Sequence, residues 1–336
     1  MRSNELSQEL SVGVVIATYN GEKYIKQQLD SILAQTTKPD LIVISDGYSN
    51  DNTVMECERN LHGKSIKYKI ITSTKQLSVK NNFEKGISYC DTDIIFCADQ
   101  DDFWLPMKIE KFLDVFRNQS ADLVFSNAYI TDEFLNKTGK NLWETVGFCP
   151  DTEIKVFDKG DVCFLNELNR HNVVTGMCVA FRSTFKEQLL PFSENAIHDV
   201  WIAYKMNQLG RIVALNSCEV LYRQHNNNAI GTRTSLRSSF HRKKGYYERI
   251  VKRKHFIEDL CTYNTDKQLK CIYEKYIKHL NFRIEFVEKK MSLFQGISRI
   301  KNYIEFEYNW LQIFMKDIYA RDRKSTRLNS SHLEQS

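Results

Sequence analysis

Thr92-Asp93-Ile94-Ile95-Phe96-Cys97-Ala98-Asp99-Gln100-Asp101-Asp102-Phe103-Trp104-Leu105-Pro106 is the stretch on which the fold turns. A short apolar run ends abruptly in three carboxylates within four positions. Such a run, closed by polar residues, reads as a strand buried on both faces. If the chain stays extended past Ala98, Asp99 and Asp101 point to one side of it. Carboxylates so placed repel one another unless a cation lies between them. Oxygen ligands of this kind suit Mg²⁺ or Mn²⁺, which take one or two protein carboxylates and complete the shell with phosphate and water. Read alone, the stretch fits an acidic capping loop equally well. Pro106 opens an amphipathic pattern (Ile109, Phe112, Leu113, Phe116), and aspartate is common ahead of a helix start.

The flanking sequence breaks that tie. Val12 to Ala17 form a second buried-strand run, ending in Thr18-Tyr19-Asn20-Gly21. Ile25, Leu29, Ile32 and Leu33 then follow helical spacing. Leu41 to Ile44 make a further strand, closed by Ser45-Asp46-Gly47, and Asn50 or Asp51 caps the next helix. Tyr68 to Thr72 are a weaker strand, and Val79, Phe83 and Ile87 mark a helix face leading into Ile94 to Ala98. Strand and helix in alternation predict a parallel sheet with helices on both faces. Ligands of such sheets bind beyond the carboxyl ends of the strands. Thr18 to Asn20, Asp46 and the Asp99/Asp101 pair all fall at those ends.

Composition limits the alternatives. The 336 residues allow one large domain or a domain with an appendage, and 42% apolar content supports a sizeable core. A net charge of +5 implies no general affinity for nucleic acid. Nine cysteines without a C-x-x-C pair predict reduced thiols and a cytoplasmic setting, not a disulfide frame or zinc site. No apolar run approaches the ~20 residues that span a bilayer, and no signal peptide is read before the first strand. There is no G-x-x-x-x-G-K-[S/T] and no G-x-G-x-x-G after the first strand, so a P-loop or dinucleotide fold is not expected.

Asp122 to Ser126 read as another strand, and residues 131–170 as irregular loops shaping a cleft. Cys178 to Phe181 follow a Thr-Gly-Met turn as a strand. A helix opening around His198-Asp199-Val200-Trp201 stops at Gly210. Asp199 falls in its first turn, where a carboxylate also serves the helix dipole. Val220 to Arg223 end a strand before His225; a lone histidine there is more often structural than catalytic. From about Thr232 the character changes. Arg233, Arg237, Arg242, Lys243, Lys244, Arg249, Lys252, Arg253 and Lys254 face one acid, Glu248, and are interleaved with Phe240, Tyr246, Tyr247 and Phe256. That run reads as a solvated helix face or, as the interleaved aromatics favour, as peripheral contact with anionic head groups or an acceptor phosphate. Helical patterns follow, the last over 298–319 with Tyr303, Phe306, Trp310 and Phe314. Residues 321–336 have no apolar period and read as a disordered tail.

Ala17-Thr18-Tyr19-Asn20-Gly21, Ser45-Asp46, Asn82-Phe83, Ala98-Asp99-Gln100-Asp101-Asp102-Phe103-Trp104, His198-Asp199-Val200-Trp201 and Tyr222-Arg223-Gln224-His225 stand in an order and spacing that resembles family-2 inverting glycosyltransferases. The nearest look is to their bacterial rhamnosyltransferase-like branch. The resemblance covers about residues 11–230. It implies a GT-A domain over 11–232, an α/β fold with a mainly parallel central sheet and helices on both faces. A helical extension (233–320) and the tail (321–336) would follow. By the same resemblance Thr18, Tyr19, Asn20, Asp46, Asp99 and His225 bind a nucleotide-diphosphate sugar. Asp99 and Asp101 are the D-x-D metal pair for Mg²⁺ or Mn²⁺, Asp199 is the catalytic base, and Trp104, His198 and Trp201 line the acceptor site. The implied reaction moves rhamnose from a dTDP donor, or a hexose from UDP, to a saccharide acceptor. The implied setting is bacterial surface-polysaccharide assembly, and the basic, aromatic run 233–256, with no spanning segment, suggests a lipid-linked acceptor at the inner face of the membrane. Two departures stand out: Gly47 and Tyr48 replace the usual second Asp and Gly after Asp46, and Val200 replaces an aromatic.

The residue types bear on rival chemistries. A glycoside hydrolase uses two carboxylates ~5–9.5 Å apart without metal, which the clustered acids fit poorly. A nucleotidyltransferase should show a Gly-rich basic first loop, and Thr18-Tyr19-Asn20-Gly21 is neither. A degenerate fold that binds a sugar nucleotide or glycan without turnover stays open as the non-enzymatic alternative.

Overall fold

The computed structural model describes residues 9–225, 246–262, 264, 266–288, 290, 292–306, 313–318 and 320. Asn226 to Lys244, Trp310 and the tail 321–336 therefore lie outside the described residues, including the first half of the basic run. The chain divides into two compact units, Met1–Lys159 with Val173–Phe192 and Ile197–Gly231, and Gly160–Asn172 with Ser193–Ala196 and Thr232–Ser336.

The first unit opens with β1 (Val12–Thr18), α1 (Ile25–Leu33), β2 (Leu41–Asp46), α2 (Thr53–Leu61), β3 (Lys67–Thr72), α3 (Val79–Ser88) and β4 (Ile94–Asp99). The strands lie in the order β3-β2-β1-β4, all parallel. β1, β2 and β4 are buried along almost their whole length, as unbroken apolar runs must be when helices cover both faces. β3 is the edge, and its partly exposed Lys-Tyr-Lys sequence suits that place. Thr18 pairs with Asp46 and Ala17 with Asp99, so the three strands end level.

Beyond β4 the sheet becomes mixed. The elements are β5 (Phe103–Trp104), α4 (Lys108–Asn118), β6 (Leu123–Thr131), β7 (Lys137–Asn141), α5 (Leu142–Val146) and β8 (Ile154–Phe157). After α6 (Val162–Arg170), which belongs to the second unit, come β9 (Val179–Arg182), α7 (Lys186–Leu189), α8 (His198–Leu209) and β10 (Ile212–Arg223). β9 lies between β4 and β6, antiparallel to both, and β10 is parallel to β6. Residues 131–170 are thus not irregular. Their polar elements are announced by local chemistry: a capping box between Asn141 and Glu144 opens α5, and Gly147, at φ +72°, closes it. Gly210 is extended rather than left-handed. It is glycine because a Cβ there would come within 2.6 Å of Asp122 Oδ2.

The loops after β1 and β2 are laced together. Asn20 N–H donates to Ser49 Oγ (2.8 Å), Asn50 N–H to Asn20 Oδ1 (2.9 Å) and Gly21 N–H to Thr53 Oγ1 (2.7 Å). Among the described residues only four non-glycines have positive φ, and two of them, Asn20 (49°) and Tyr48 (78°), sit in these loops. For a bulky aromatic that conformation is a real outlier.

In the second unit, α9 (Tyr246–Thr262) and α10 (Lys267–Val287) pack together, followed by α11 (Leu293–Ser298), α12 (Ile300–Phe306) and a helical segment at 313–318. The single helix expected over 298–319 is broken at Arg299. Asp317, wholly buried, accepts from Arg283 Nε (2.9 Å) and from the hydroxyls of Tyr246 and Tyr303 (2.6 Å each). No helix among the described residues is long and apolar enough to cross a membrane.

Two outcomes follow for stability. Tyr48→Gly relieves left-handed strain of about 1–2 kcal/mol, offset by the greater freedom of glycine in the unfolded chain. The variant is expected to gain about 0.5–1 kcal/mol, read as a higher urea midpoint with unchanged slope. Asp317→Ala strands the buried Arg283 guanidinium and is expected to cost about 3–5 kcal/mol by the same measurement.

Candidate functional site

At the end of β4 the chain turns instead of staying extended, and Gln100 shows what the turn is for. Its amide grips the backbone of Tyr19 from both sides: Tyr19 N–H donates to Gln100 Oε1 (2.9 Å), and Gln100 Nε2 donates to Tyr19 O (3.1 Å). A Cβ on Gly21 would lie 2.1 Å from Gln100 Oε1, so the first loop needs glycine there. The acidic corner is thereby fixed to the loop after β1.

Asp99, half-buried, feels several like charges. Burial first, then the negative charges of Asp101 and Asp199, push its carboxyl up to about 7. Asp101 Oδ2 meets His225 Nε2 at 2.8 Å, and the His225 ring leans on Tyr24 at 4.6 Å between centroids. Arg223 binds the corner from behind. Its Nε donates to Asp101 O (2.7 Å), its backbone N–H to Asp102 Oδ1 (3.0 Å), its NH1 to Glu133 O (2.6 Å) and its NH2 to Gln27 Oε1 (2.7 Å). Asp102 is wholly buried, and burial above all pushes its carboxyl well above the ordinary range. Its Oδ2 has no hydrogen-bond partner among the described residues.

Asp199 enters from α8. Gly176 N–H donates to its Oδ2 (3.2 Å) and the backbone N–H of Val200 to its Oδ1 (2.7 Å). It is 5% exposed. Beneath the corner lies Lys108, wholly buried, whose ammonium donates to Met177 O (2.5 Å) and stands 3.8 Å over the Trp104 ring. Burial pushes that ammonium down to about 8.

The structure therefore brings Asp99, Asp101, Asp199 and His225 together, and gives the other residues singled out in the sequence contacts of their own. Asp46 has both oxygens committed, accepting from Thr18 Oγ1 (2.8 Å), Ser49 Oγ (2.6 Å), Ser49 N–H (2.8 Å) and Tyr48 N–H (3.1 Å). Thr18 and Asp46, both buried, hold the loops together. Tyr19 (39% exposed), Asn20 and Tyr48 (55% exposed) are the accessible side chains there. Trp104, Trp201 and His198 are held by contacts inside the protein. Trp104 packs on Phe96 and Lys108, Trp201 donates its indole N–H to Leu189 O (2.7 Å), and His198 stacks on Phe83 at 4.0 Å. All three are buried, and α8 is covered on nearly every side. Gln100, Arg223, Lys108 and Gly176 went unassigned. Only Lys108 carried a local signal, a cation in the first turn of a helix, against the dipole.

The donor set fits a hard divalent ion in one particular way. No three His, Cys, Asp or Glu side chains among the described residues form a metal cage. Asp99 and Asp101 offer carboxylate oxygens, and burial first, then the charges of Asp101 and Asp199, raise the Asp99 carboxyl. Two carboxylates completed by a ligand's phosphates is the manner of Mg²⁺ rather than of an all-protein site.

Comparison with known proteins agrees with this geometry. The profile described as Glycosyl transferase family 2 matches residues 13–188. Over 243 residues the chain is 29% identical to the dTDP-rhamnosyl transferase RfbG of Shigella flexneri, covering 68% of this chain and 77% of that one. It is also 29% identical over 135 residues to UDP-Glc:alpha-D-GlcNAc-diphosphoundecaprenol beta-1,3-glucosyltransferase WfaP of Escherichia coli, spanning 37% of this chain and 48% of that relative. S. aureus TarS 1–349, solved in complex with UDP-GlcNAc, superposes with a TM-score of 0.59 at 14% identity, over 88% of this chain and 80% of that one. That likeness is one of fold, and the fold is GT-A. With the family profile spanning more than half its length, the chain belongs to glycosyl transferase family 2.

Proposed function

We propose that the chain performs a metal-dependent, inverting transfer of a sugar from a nucleoside diphosphate to a saccharide hydroxyl, in polysaccharide assembly. The observation that carries this reading is the approach of Asp199 to Asp99, close enough for its charge to raise the Asp99 carboxyl. One carboxylate then serves the diphosphate end of the donor while another serves the incoming alcohol.

In this reading Asp99 and Asp101 hold a divalent cation, Mg²⁺ or Mn²⁺, against the donor's diphosphate, and His225 keeps Asp101 aimed. Bound there, such an ion supplies Lewis-acid relief of the charge growing on the leaving phosphate. Asp199 accepts the proton of the acceptor hydroxyl as its oxygen bonds to the anomeric carbon. The bond from that carbon to the diphosphate oxygen breaks, the nucleoside diphosphate departs with the electron pair, and the configuration inverts. General-base assistance of this kind is worth ~10²–10⁴-fold. Because Asp199 is nearly covered, an acceptor must seat itself to reach it, which favours a bound alcohol over bulk water.

Tyr19, Asn20 and Tyr48 are placed to meet the nucleoside. The relatives' names favour dTDP-rhamnose first and a UDP-hexose second, and the name of WfaP favours a lipid-linked saccharide acceptor. Peripheral contact with an anionic membrane rests on the basic run. Within the described part of that run, Lys254 pairs with Glu258 and Arg253 lies over Phe256 and Tyr276. The non-catalytic alternative, a binding protein without turnover, draws on Gly47 and Tyr48, where the family usually has Asp and Gly.

A panel of dTDP- and UDP-sugars tested by thermal stabilisation, with Mn²⁺ or with chelator, reads donor and ion together. Asp99, raised from the carboxylate reference of ~3.9, keeps a proton in the fold that the unfolded chain releases between about pH 4 and 7. A cation has to displace that proton. The Mn²⁺-dependent shift is therefore expected to be larger at pH 8 than at pH 5.5, and an equal shift at both would remove Asp99 from the ion. Asp199→Asn is expected to lower turnover at least ~10²-fold with nucleoside diphosphate affinity unchanged. Binding without turnover in the unaltered protein would favour the non-catalytic reading.

A further inference from the structure

Lys108 is a buried cation that the reaction as described does not use, and the reading of Asp199 as the base makes its position informative. Its ammonium donates to the carbonyl of Met177, and the neighbouring Gly176 N–H donates to Asp199 Oδ2. The same short turn is pressed from a third side. A Cβ on Gly176 would lie 2.5 Å from His198 Nε2, so the His198 ring rests directly on the glycine. Lys108, Gly176 and Asp199 come from α4, the turn before β9 and the start of α8, three separate stretches of chain.

A lysine wholly removed from water is costly unless something requires its charge. Packing alone would be met by methionine or leucine at this site, beside Trp104 and Phe112. The Met177 carbonyl is one hydrogen-bonding reason for the charge. The buried Asp102 and Glu219, whose charges act on Lys108, supply the electrostatic setting.

We propose that Lys108 is a positioning residue for the base. By holding the Met177 carbonyl it fixes one peptide plane of the short turn, two planes along from the one that aims the Gly176 N–H at Asp199. The rotamer of Asp199 is thereby tied to the same helix start that braces the acidic corner. An error of about 1 Å in the placement of a reacting group costs up to about 10²-fold in rate, so such a tether is worth a buried charge.

Lys108→Met keeps the length and apolar stem of the side chain and removes only the ammonium. Turnover is measured with the sugar nucleotide that stabilises the protein most in the panel above, and affinity with dTDP and UDP. Expected for Lys108→Met is a fall in kcat of about 10–100-fold, with donor KM and nucleoside diphosphate affinity unchanged. In an Asp199→Asn background the same substitution should have no further effect, since both then act on one group. A parallel fall in nucleotide affinity, or a loss that multiplies with that of Asp199→Asn, overturns the proposal and assigns Lys108 to the acidic corner instead.

A second readout needs no substrate. With glycine-selective ¹⁵N labelling, the Gly176 amide resonance should move upfield in both Lys108→Met and Asp199→Asn; no movement in Lys108→Met sinks the tether even if no donor is found. Should Lys108→Met not fold, Gly176→Ala displaces the same turn against His198 and must give the same separation of kcat from affinity. Absence of turnover in the unaltered protein with every donor defeats the transferase reading, while the amide shift still decides the tether.

Discussion

Everything at the strand ends depends on holding like charges close together. Asp99, Asp101 and Asp199 act on one another in a partly dewatered corner. Unit charges ~4 Å apart interact by about 4 kcal/mol at an effective dielectric of ~20. The protein answers with compensation rather than separation. His225 meets Asp101, Arg223 grips the backbone and the buried Asp102, and Lys108 stands below. His225 and Arg223 are far from these acids in sequence, so the corner is complete only when β10 has joined the sheet. A cluster that is repulsive by itself becomes, held in this way, a concentration of negative charge at the edge of the sheet.

The loops around that corner show the same economy of side chains. Thr18 and Asp46 bond each other, and Asp46 also takes two backbone N–H groups from the turn it begins. Gln100 joins that assembly to the end of β4. Thr18, Asp46 and Gln100 are therefore committed to fixing the backbone, and Tyr19, Asn20 and Tyr48 are exposed on the rim they hold. Under the proposed function, a rim fixed in advance would lose little entropy when a nucleotide binds. The left-handed backbone of Tyr48 is kept in place by its N–H bond to Asp46, which is how a strained residue persists at a binding edge.

These features were unequally legible in the sequence. The strands and helices of the first hundred residues could be read because their periodicity is strong and their partners are near neighbours. The convergence of Thr18, Asp46 and Asp99 at one edge followed from that alternation alone. The length of β10 did not: its pairing is with β6, β5 and β8, and bulges near Cys218 break its pattern. Nor did the burial of Trp201 and His198, since α8 is covered on nearly every side and shows no polar stripe to orient it. Arg223 and Gln100 carry no local signal at all, because their roles lie in backbone atoms brought close by the fold.

The antiparallel strand β9 is the least expected element and the most consequential. A parallel sheet presents only strand ends at its carboxyl edge. Because β9 runs the other way, pairing Ala180 with Phe96 and Arg182 with Ile94, its beginning lies at the Asp99 end of β4. The turn that precedes it, Gly176 to Cys178, is thus delivered to the edge where the acids gather. Its backbone offers an N–H upward to Asp199 and a carbonyl to Lys108. A fifth parallel strand in that place would have brought another strand end and no such turn. Reversing one strand is what lets a carboxylate from the later part of the chain meet the acidic corner made by the earlier part.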